Sequence, residues 1–144
     1  MNAGRLIRIV LLAGISGAIY GICDLVFSWN PLAAAPYVAH AHEAVFRSSP
    51  RLDVGFLAEL VNGWIAALSY LVVGRALTGP AWRRGMIFGL GIWGFWVISG
   101  TFTASVWLAI PWSVSGANVI AGLPKCLAIG AGVAIVAKKL KLVD

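Results

Sequence analysis

The sequence predicts an all-α integral membrane protein, a four-helix bundle that forms a single transmembrane domain over residues 1–144. Hydrophobic residues make up 60% of the chain and charged residues only 11%, which is far more apolar than the usual soluble domain. Four apolar runs are each long enough to cross about 30 Å of hydrocarbon as a helix. A soluble fold of this size would expose much of that surface to water, so we expect a lipid bilayer to be its solvent.

The four predicted helices are separated by segments that contain proline or glycine. The predicted helices cover about 9–28, 54–77, 85–110 and 115–137. A long outer loop, 30–53, joins the first two, and the other connections are short. The first run also resembles a secretory signal, but it is longer than a usual signal and carries Asp24 near its end. We therefore expect the first helix to be retained.

The distribution of lysine and arginine predicts the orientation in the membrane. Of the 11 basic residues, eight lie near the termini and in the second connection, two lie in the outer loop, and Lys125 lies within a run. By the positive-inside rule, both termini are expected in the cytoplasm, as in a multi-pass protein of the bacterial inner membrane. The two outer-loop residues are Arg47 and Arg51, and the tryptophans expected at the interfaces are Trp29, Trp107 and Trp112 outside and Trp82 inside.

The net charge of +6 does not indicate nucleic-acid binding, because the basic residues flank apolar runs instead of forming a stripe interleaved with aromatic side chains. Two cysteines, Cys23 and Cys126, are too few for a disulfide framework or a zinc knuckle, although a redox pair is an alternative. Glycine-rich helix faces favour packing against other membrane helices. The expected partners are therefore the lipid bilayer and further copies or a larger membrane complex, with no cofactor.

Lys125 follows Pro124 within the fourth apolar run, where a cation is unusual. The 12 residues from 126 to 137 would form only about 18 Å of helix, which is too short to cross a bilayer. The lysine is therefore predicted to lie inside the membrane.

Two acids are predicted to lie at the height of Lys125. Asp24 is 16 residues from Arg8 and Glu59 is 16 residues from Arg75, which places both carboxyls about 24 Å from the inner boundary. Lys125 is 13 residues from the C-terminal lysines, about 20 Å, and its long stem can extend outward by the difference. The three groups are expected at one level in the outer half of the membrane.

Each of these charged residues lies on the face of its helix that has the smallest and most polar side chains. Such faces are where membrane helices approach closely, so the charges are expected to point into the bundle. Asn62 and Asn118 share the faces of Glu59 and Lys125, and they complete a predicted ligand or ion pocket with Asp24. The small residues on these faces include Gly14, Gly17, Gly21, Gly63, Ala66, Gly122 and Gly132, and the third helix offers Gly85, Gly89, Ser99, Gly100 and Thr103.

Charges within a membrane indicate function, although a buried ion pair can also serve only to fix which helices pack together. Two acids and one base leave one carboxyl without a basic partner. Few polar residues lie below the acids, so a continuous proton path is not expected. We predict non-enzymatic binding or translocation of a small solute through an outward-placed charged pocket. The alternative is an accessory or assembly subunit of a larger membrane complex.

The outer loop contains a second group of candidate ligands, His40, His42 and Glu43. Pro36 favours the start of a short interfacial helix, which would place His40 and Glu43 on one face. Histidines two residues apart point in different directions on a helix, so they form a poor metal pair, and solvated imidazoles are the expected state. Ser48 and Ser49 lie near these histidines without a spacing that specifies catalysis, and we do not expect an enzyme.

Overall fold

The computed structural model describes residues 2–27, 31–43 and 52–143, and in these ranges all regular secondary structure is helical. The elements are α1 (Ala3–Phe27), α2 (Pro31–Ala39), α3 (Leu52–Val73), α4 (Ala81–Ile92), a π-helical segment (Trp93–Ile98), α5 (Ser99–Trp107) and α6 (Trp112–Lys139). The stretch Ala81–Trp107 is one continuous helix, which we call the third span. Within the described residues, four helices are long and apolar enough to cross a membrane: α1, Val54–Val73 of α3, the third span and α6. The prediction of an all-helical protein with four such helices is confirmed.

The helices differ from the apolar runs by a few residues at their ends. The third span begins at Ala81 instead of 85 and α6 begins at Trp112 instead of 115. In both cases a proline in extended backbone, Pro80 or Pro111, occupies the position just before the first helical residue. Helix α1 begins at Ala3, before its apolar run. Helical hydrogen bonding does not depend on hydropathy, so polar residues can extend a helix beyond the apolar run.

The short outer helix does not begin where the sequence predicts. Helix α2 begins at Pro31, where a missing N–H is tolerated, and Pro36 lies inside it. His40 and His42 follow in a turn. The remainder of the predicted helix, up to Arg47, lies outside the described residues, as do Trp29 and Arg51.

The helices pack in a row rather than in a closed bundle. The order across the row is α3, α1, α6 and the third span, and the most extensive contact is between α4 and α6. In the described part of the chain, the backbones of α3 and the third span seldom come close, although the Tyr70 ring of α3 packs against Phe88 of the third span. A gap is therefore left between the first and last members of the row.

Glycines determine where neighbouring helices come closest. A Cβ added at Gly85 or Gly89 would collide with the backbone of α6, and one added at Gly130 would collide with the backbone of α4. A Cβ at Gly63 of α3 would likewise collide with the backbone of α1 at Gly17. Small residues thus bring these two helix pairs into backbone contact.

The predicted packing face of the third helix is wrong in its outer part. Gly100 has no atom outside its own helix within 4 Å of an added Cβ, whereas Thr101 and Ser105 form hydrogen bonds to side chains of α6. The π-helical segment lies between Gly89 and Gly100, and one extra residue in a turn rotates the following helix by about 100°. Gly14 and Gly21 of α1 also have no neighbour within 4 Å, unlike Gly17.

Buried residues are concentrated in one half of the molecule. We call the half that holds the beginning of α1 and the end of α6 the terminal half, and the half that holds α2 the loop half. Tyr70, Leu12, Ile129 and Val133 in the terminal half are fully buried. The π-helical segment and α5, in the loop half, contain no buried residue. The protein is therefore tightly packed in the terminal half and open in the loop half.

Candidate functional site

The first feature of the site is an ion pair between α1 and α6. The ammonium group of Lys125 donates a hydrogen bond to Oδ1 of Asp24, and the two side chains are only 16% and 21% exposed. The same ammonium group lies 5.5 Å from the centre of the Tyr20 ring, in a cation–π arrangement. Because Tyr20 is four residues before Asp24, both side chains lie on one face of α1. The lysine is thus held by a carboxylate and an aromatic ring of the same helix.

Glu59 of α3 is the third charged group. It lies within electrostatic range of both Asp24 and Lys125. Its Oε2 atom is buried and has no hydrogen-bond partner among the described residues. Polar atoms in such a position are normally hydrogen-bonded to protein or to ordered water. The structure therefore places Glu59 near the ion pair, with one buried carboxyl oxygen that has no hydrogen-bond partner among the described residues.

The two predicted amides lie on either side of the ion pair. Asn118 is two helical turns from Lys125 and donates a hydrogen bond of 3.0 Å to Oγ1 of Thr101 on α5. Asn62 is one turn from Glu59 and lines the gap between α3 and the third span.

Two helix irregularities meet beside the site. Pro124 precedes Lys125 inside α6 and cannot donate a backbone hydrogen bond to Ile120. Opposite it, the π-helical segment places the Trp93 indole so that it donates a hydrogen bond of 2.9 Å to the Val119 carbonyl. Local π-helical turns within α-helices are frequent at functional sites. The ion pair thus lies where both α6 and the third span depart from regular helix.

Helix α2 lies near the cluster on the loop side and packs against α6. Burial and, second, the negative charge of Asp24 raise the pKa of the Tyr37 phenol above its ordinary value. His40 Nδ1 is 2.6 Å from Glu43 Oε1, and Nε2 is 3.2 Å from the Ser113 hydroxyl on α6. The segment around α2 therefore packs against the beginning of α6, on the loop side of the ion pair.

The described residues contain no group of three or more His, Cys, Asp or Glu side chains that could hold a metal ion. Both ring nitrogens of His40 have protein partners, and His42 is exposed in the turn that follows α2. Cys23 and Cys126 are free thiols, and Cys126 is fully buried.

The gap between α3 and the third span forms an elongated cavity of about 500 Å³, which we call the lateral groove. It is apolar along most of its length and carries Asn62 at one end and Leu77 at the other. Half-exposed side chains such as Val73 and Ile87, at 45% and 41%, show that the groove opens to the side of the molecule. It is lined by Tyr20, Asn62, Ile65, Ala66, Ser69, Val73, Leu77, Ile87, Phe88, Gly91, Ile92, Phe95 and Trp96.

The contact between the Tyr20 ring and the ammonium group of Lys125 was not predicted from the sequence. The spacing of four residues between Tyr20 and Asp24 is the signal that could have found it. No comparable signal marks the π-helical segment or the lateral groove, since both depend on how whole helices pack.

The chain matches no protein-family model, no curated protein and no solved structure.

Proposed function

We propose that this protein binds a small cationic or polar solute at the charged cluster and that it acts without covalent chemistry. The single observation that carries the proposal is the buried Oε2 atom of Glu59, which has no partner among the described residues. Lys125 pairs with Asp24, so the second carboxylate is left for a ligand. An ammonium or another hydrogen-bond donor would satisfy it.

The proposed orientation makes the cluster accessible from outside the cell. If both termini lie in the cytoplasm of a bacterial inner membrane, the loop half faces outward. The π-helical segment and α5 bury no residue, so the half of the molecule that faces outward in this orientation is the less tightly packed one. The tightly packed terminal half separates the same site from the cytoplasm. Binding from outside is therefore better supported than continuous proton conduction.

Translocation requires that the closed half can also open. Pro124 and the π-helical segment give α6 and the third span irregular points at the level of Lys125. Bending there would move the outer parts of both helices together, because Asn118 is hydrogen-bonded to Thr101. These features support alternating access as an extension of solute binding.

The proposal is tested with purified protein in liposomes, using radiolabelled methylammonium as the cationic probe. We expect protein-dependent binding or uptake that Glu59→Gln abolishes, because the amide removes the negative charge at nearly constant size. The matched control is Glu43→Gln, since that carboxylate lies outside the predicted spans and pairs with His40. The control is expected to retain the wild-type signal.

The same assay can contradict the proposal in two ways. A signal that is unchanged in Glu59→Gln would exclude this carboxylate as the binding group. Equal accumulation in liposomes with and without protein would exclude cationic binding at the cluster.

An accessory or assembly subunit is the second candidate, and unpartnered glycines favour it. Gly14 and Gly21 on α1 and Gly94 and Gly100 on the third span have open space beside them. Another membrane helix could approach closely at these positions. Mild detergent extraction would then recover stoichiometric partners, and apolar replacement of Lys125, Asp24 and Glu59 together would leave the assembly intact. Loss of the assembly in that triple variant would contradict a role based on glycine packing alone.

A further inference from the structure

We propose that the lateral groove and a basic pocket at its terminal end together bind one anionic phospholipid, with an acyl chain in the groove and the phosphate at the pocket. This inference is independent of solute binding at Glu59. It is based on the shape of the groove, on the charge at one of its ends and on the residues that connect the two cavities.

The basic pocket is a separate cavity of about 380 Å³. It is lined by Arg75, Arg84, Lys141, Leu142 and Val143. A second cavity of about 440 Å³ adjoins it through Lys141 and Leu142 and adds Arg5 and Arg8. Among the described residues, no acidic side chain lines either cavity. The described lining of the two cavities thus carries five basic side chains, at an end of the molecule where lipid phosphates would lie.

The backbone holds one of these cations in place. The chain turns back after α6 at Lys141, which has a left-handed φ of 55°. The amide of Leu142 donates a hydrogen bond of 3.0 Å to the Ala137 carbonyl, as in a helix-terminating Schellman turn. Leu142 and Val143 are buried as a result, at 8% and 7% exposure. Lys141 is thus fixed between the two basic cavities.

Neighbouring residues connect the basic pocket to the groove. Val73 and Leu77 line the groove, and Arg75 between them lines the pocket. On α4, Phe88 of the groove is one helical turn from Arg84 of the pocket. The Phe88 ring packs edge-on against Tyr70, with 5.2 Å between ring centres. The two cavities are therefore adjacent, and both are lined by residues of α4 and of the turn that follows α3.

The length of the groove fits one acyl chain. The part along α3 from Asn62 to Val73 spans 11 residues, or about 16 Å of helix. One leaflet contributes about half of a hydrocarbon core that is about 30 Å thick. A chain anchored at the basic pocket would thus end near Asn62 and Tyr20. Because the groove opens to the side, a lipid could enter it directly from the bilayer.

Binding of the lipid phosphate at the basic pocket is tested by native mass spectrometry of the full chain in detergent. The protein is mixed with equal amounts of phosphatidylglycerol and phosphatidylcholine that carry identical acyl chains. We expect retention of one phosphatidylglycerol in preference to phosphatidylcholine. Arg75→Gln and Lys141→Asn should each weaken phosphatidylglycerol binding about fivefold, which corresponds to about 1 kcal/mol for a basic side chain near a lipid surface. Asparagine at 141 suits the left-handed backbone, so the turn is preserved.

The matched charge control is Arg83→Gln. Arg83 is exposed on the same helix as Arg84 and does not line the pocket. Little change is expected from it. Equal binding of the two lipids, or an equal loss in Arg83→Gln and Arg75→Gln, would overturn selection by the basic pocket. Displacement of the lipid by an equal concentration of glycerol 3-phosphate would show that a soluble anion, not a lipid, is the ligand.

Binding of the acyl chain in the lateral groove is tested with substitutions that fill the groove. A Cβ at Gly91 meets no atom outside its own helix within 4 Å, and Gly91 lines the groove, so Gly91→Leu inserts a side chain into the space without a backbone clash. Binding of both lipids should be lost, whereas the equally open Gly100→Leu should retain it. Ile87→Trp is a second groove-filling variant should Gly91→Leu not fold. Unchanged lipid binding in a folded groove-filling variant would overturn the proposal.

Discussion

The terminal half and the loop half of this protein are held together by different interactions. In the terminal half, backbones meet at Gly85, Gly89 and Gly130, and the core is fully buried. In the loop half, the π-helical segment and α5 bury no residue, and side-chain hydrogen bonds join α5 to α6. The difference teaches that close backbone packing fixes the arrangement of the helices in the terminal half, while polar side chains join more loosely packed helices in the loop half.

The charged cluster lies at the boundary between these halves. Lys125 follows Pro124 near the middle of α6, and its partner Asp24 is close to the loop end of α1. A ligand bound at Glu59 would therefore lie next to the tightly packed terminal half. This position suits a site that binds from one side.

The largest expected effect comes from disturbing the terminal half. In Gly130→Leu, the new side chain would collide with the Gly85 carbonyl, which belongs to the backbone and cannot turn aside. Overpacking of this kind typically costs 1–3 kcal/mol, and we expect a loss of about 3 kcal/mol in the free energy of unfolding. Thermal unfolding in detergent, followed by tryptophan fluorescence, measures it. Gly100→Leu in the loop half is the control and should unfold like the wild type; an equal loss in both variants would refute the comparison.

An intermediate effect is expected at the boundary. Lys125→Met leaves the Asp24 carboxylate without its ammonium partner, and we expect a loss of about 2 kcal/mol because the pair is mostly but not fully buried. Adding Asp24→Asn should recover much of that loss, since the uncompensated charge is then removed. A double-mutant cycle on unfolding free energies gives the coupling. Additive effects of the two substitutions would show that the ion pair does not help to join α1 and α6.

The smallest expected effect on the free energy of unfolding distinguishes a glycine packed against α6 from one that faces the lateral groove. Gly91→Ala places a methyl group in open space and gains helix propensity, so the protein should be stabilised by up to about 1 kcal/mol. Gly89→Ala, two residues away, should destabilise it, because the added Cβ would collide with the Cys126 carbonyl. The same unfolding measurement distinguishes the two. Stabilisation by both substitutions would mean that α4 and α6 are less closely packed than described.

Local properties of the sequence predicted the features that depend on one helix at a time. Hydropathy and run length predicted four helices able to cross a membrane. The rise per residue predicted Asp24 and Lys125 at similar depth, and the structure brings them into contact. The role of this cluster as a ligand pocket stays a prediction. Helix ends were predicted less well, because prolines and backbone hydrogen bonds determine them rather than hydropathy.

Only the tertiary structure decided how the helices are arranged. The sequence predicted Gly100 as a packing residue, but the π-helical segment rotates the end of the third span and presents Thr101 and Ser105 to α6 instead. The sequence also does not indicate that α3 and the third span would leave a groove between them. Hydropathy records which surfaces avoid water, but lipid and protein are equally apolar, so the choice between them depends on the close packing of complete helices.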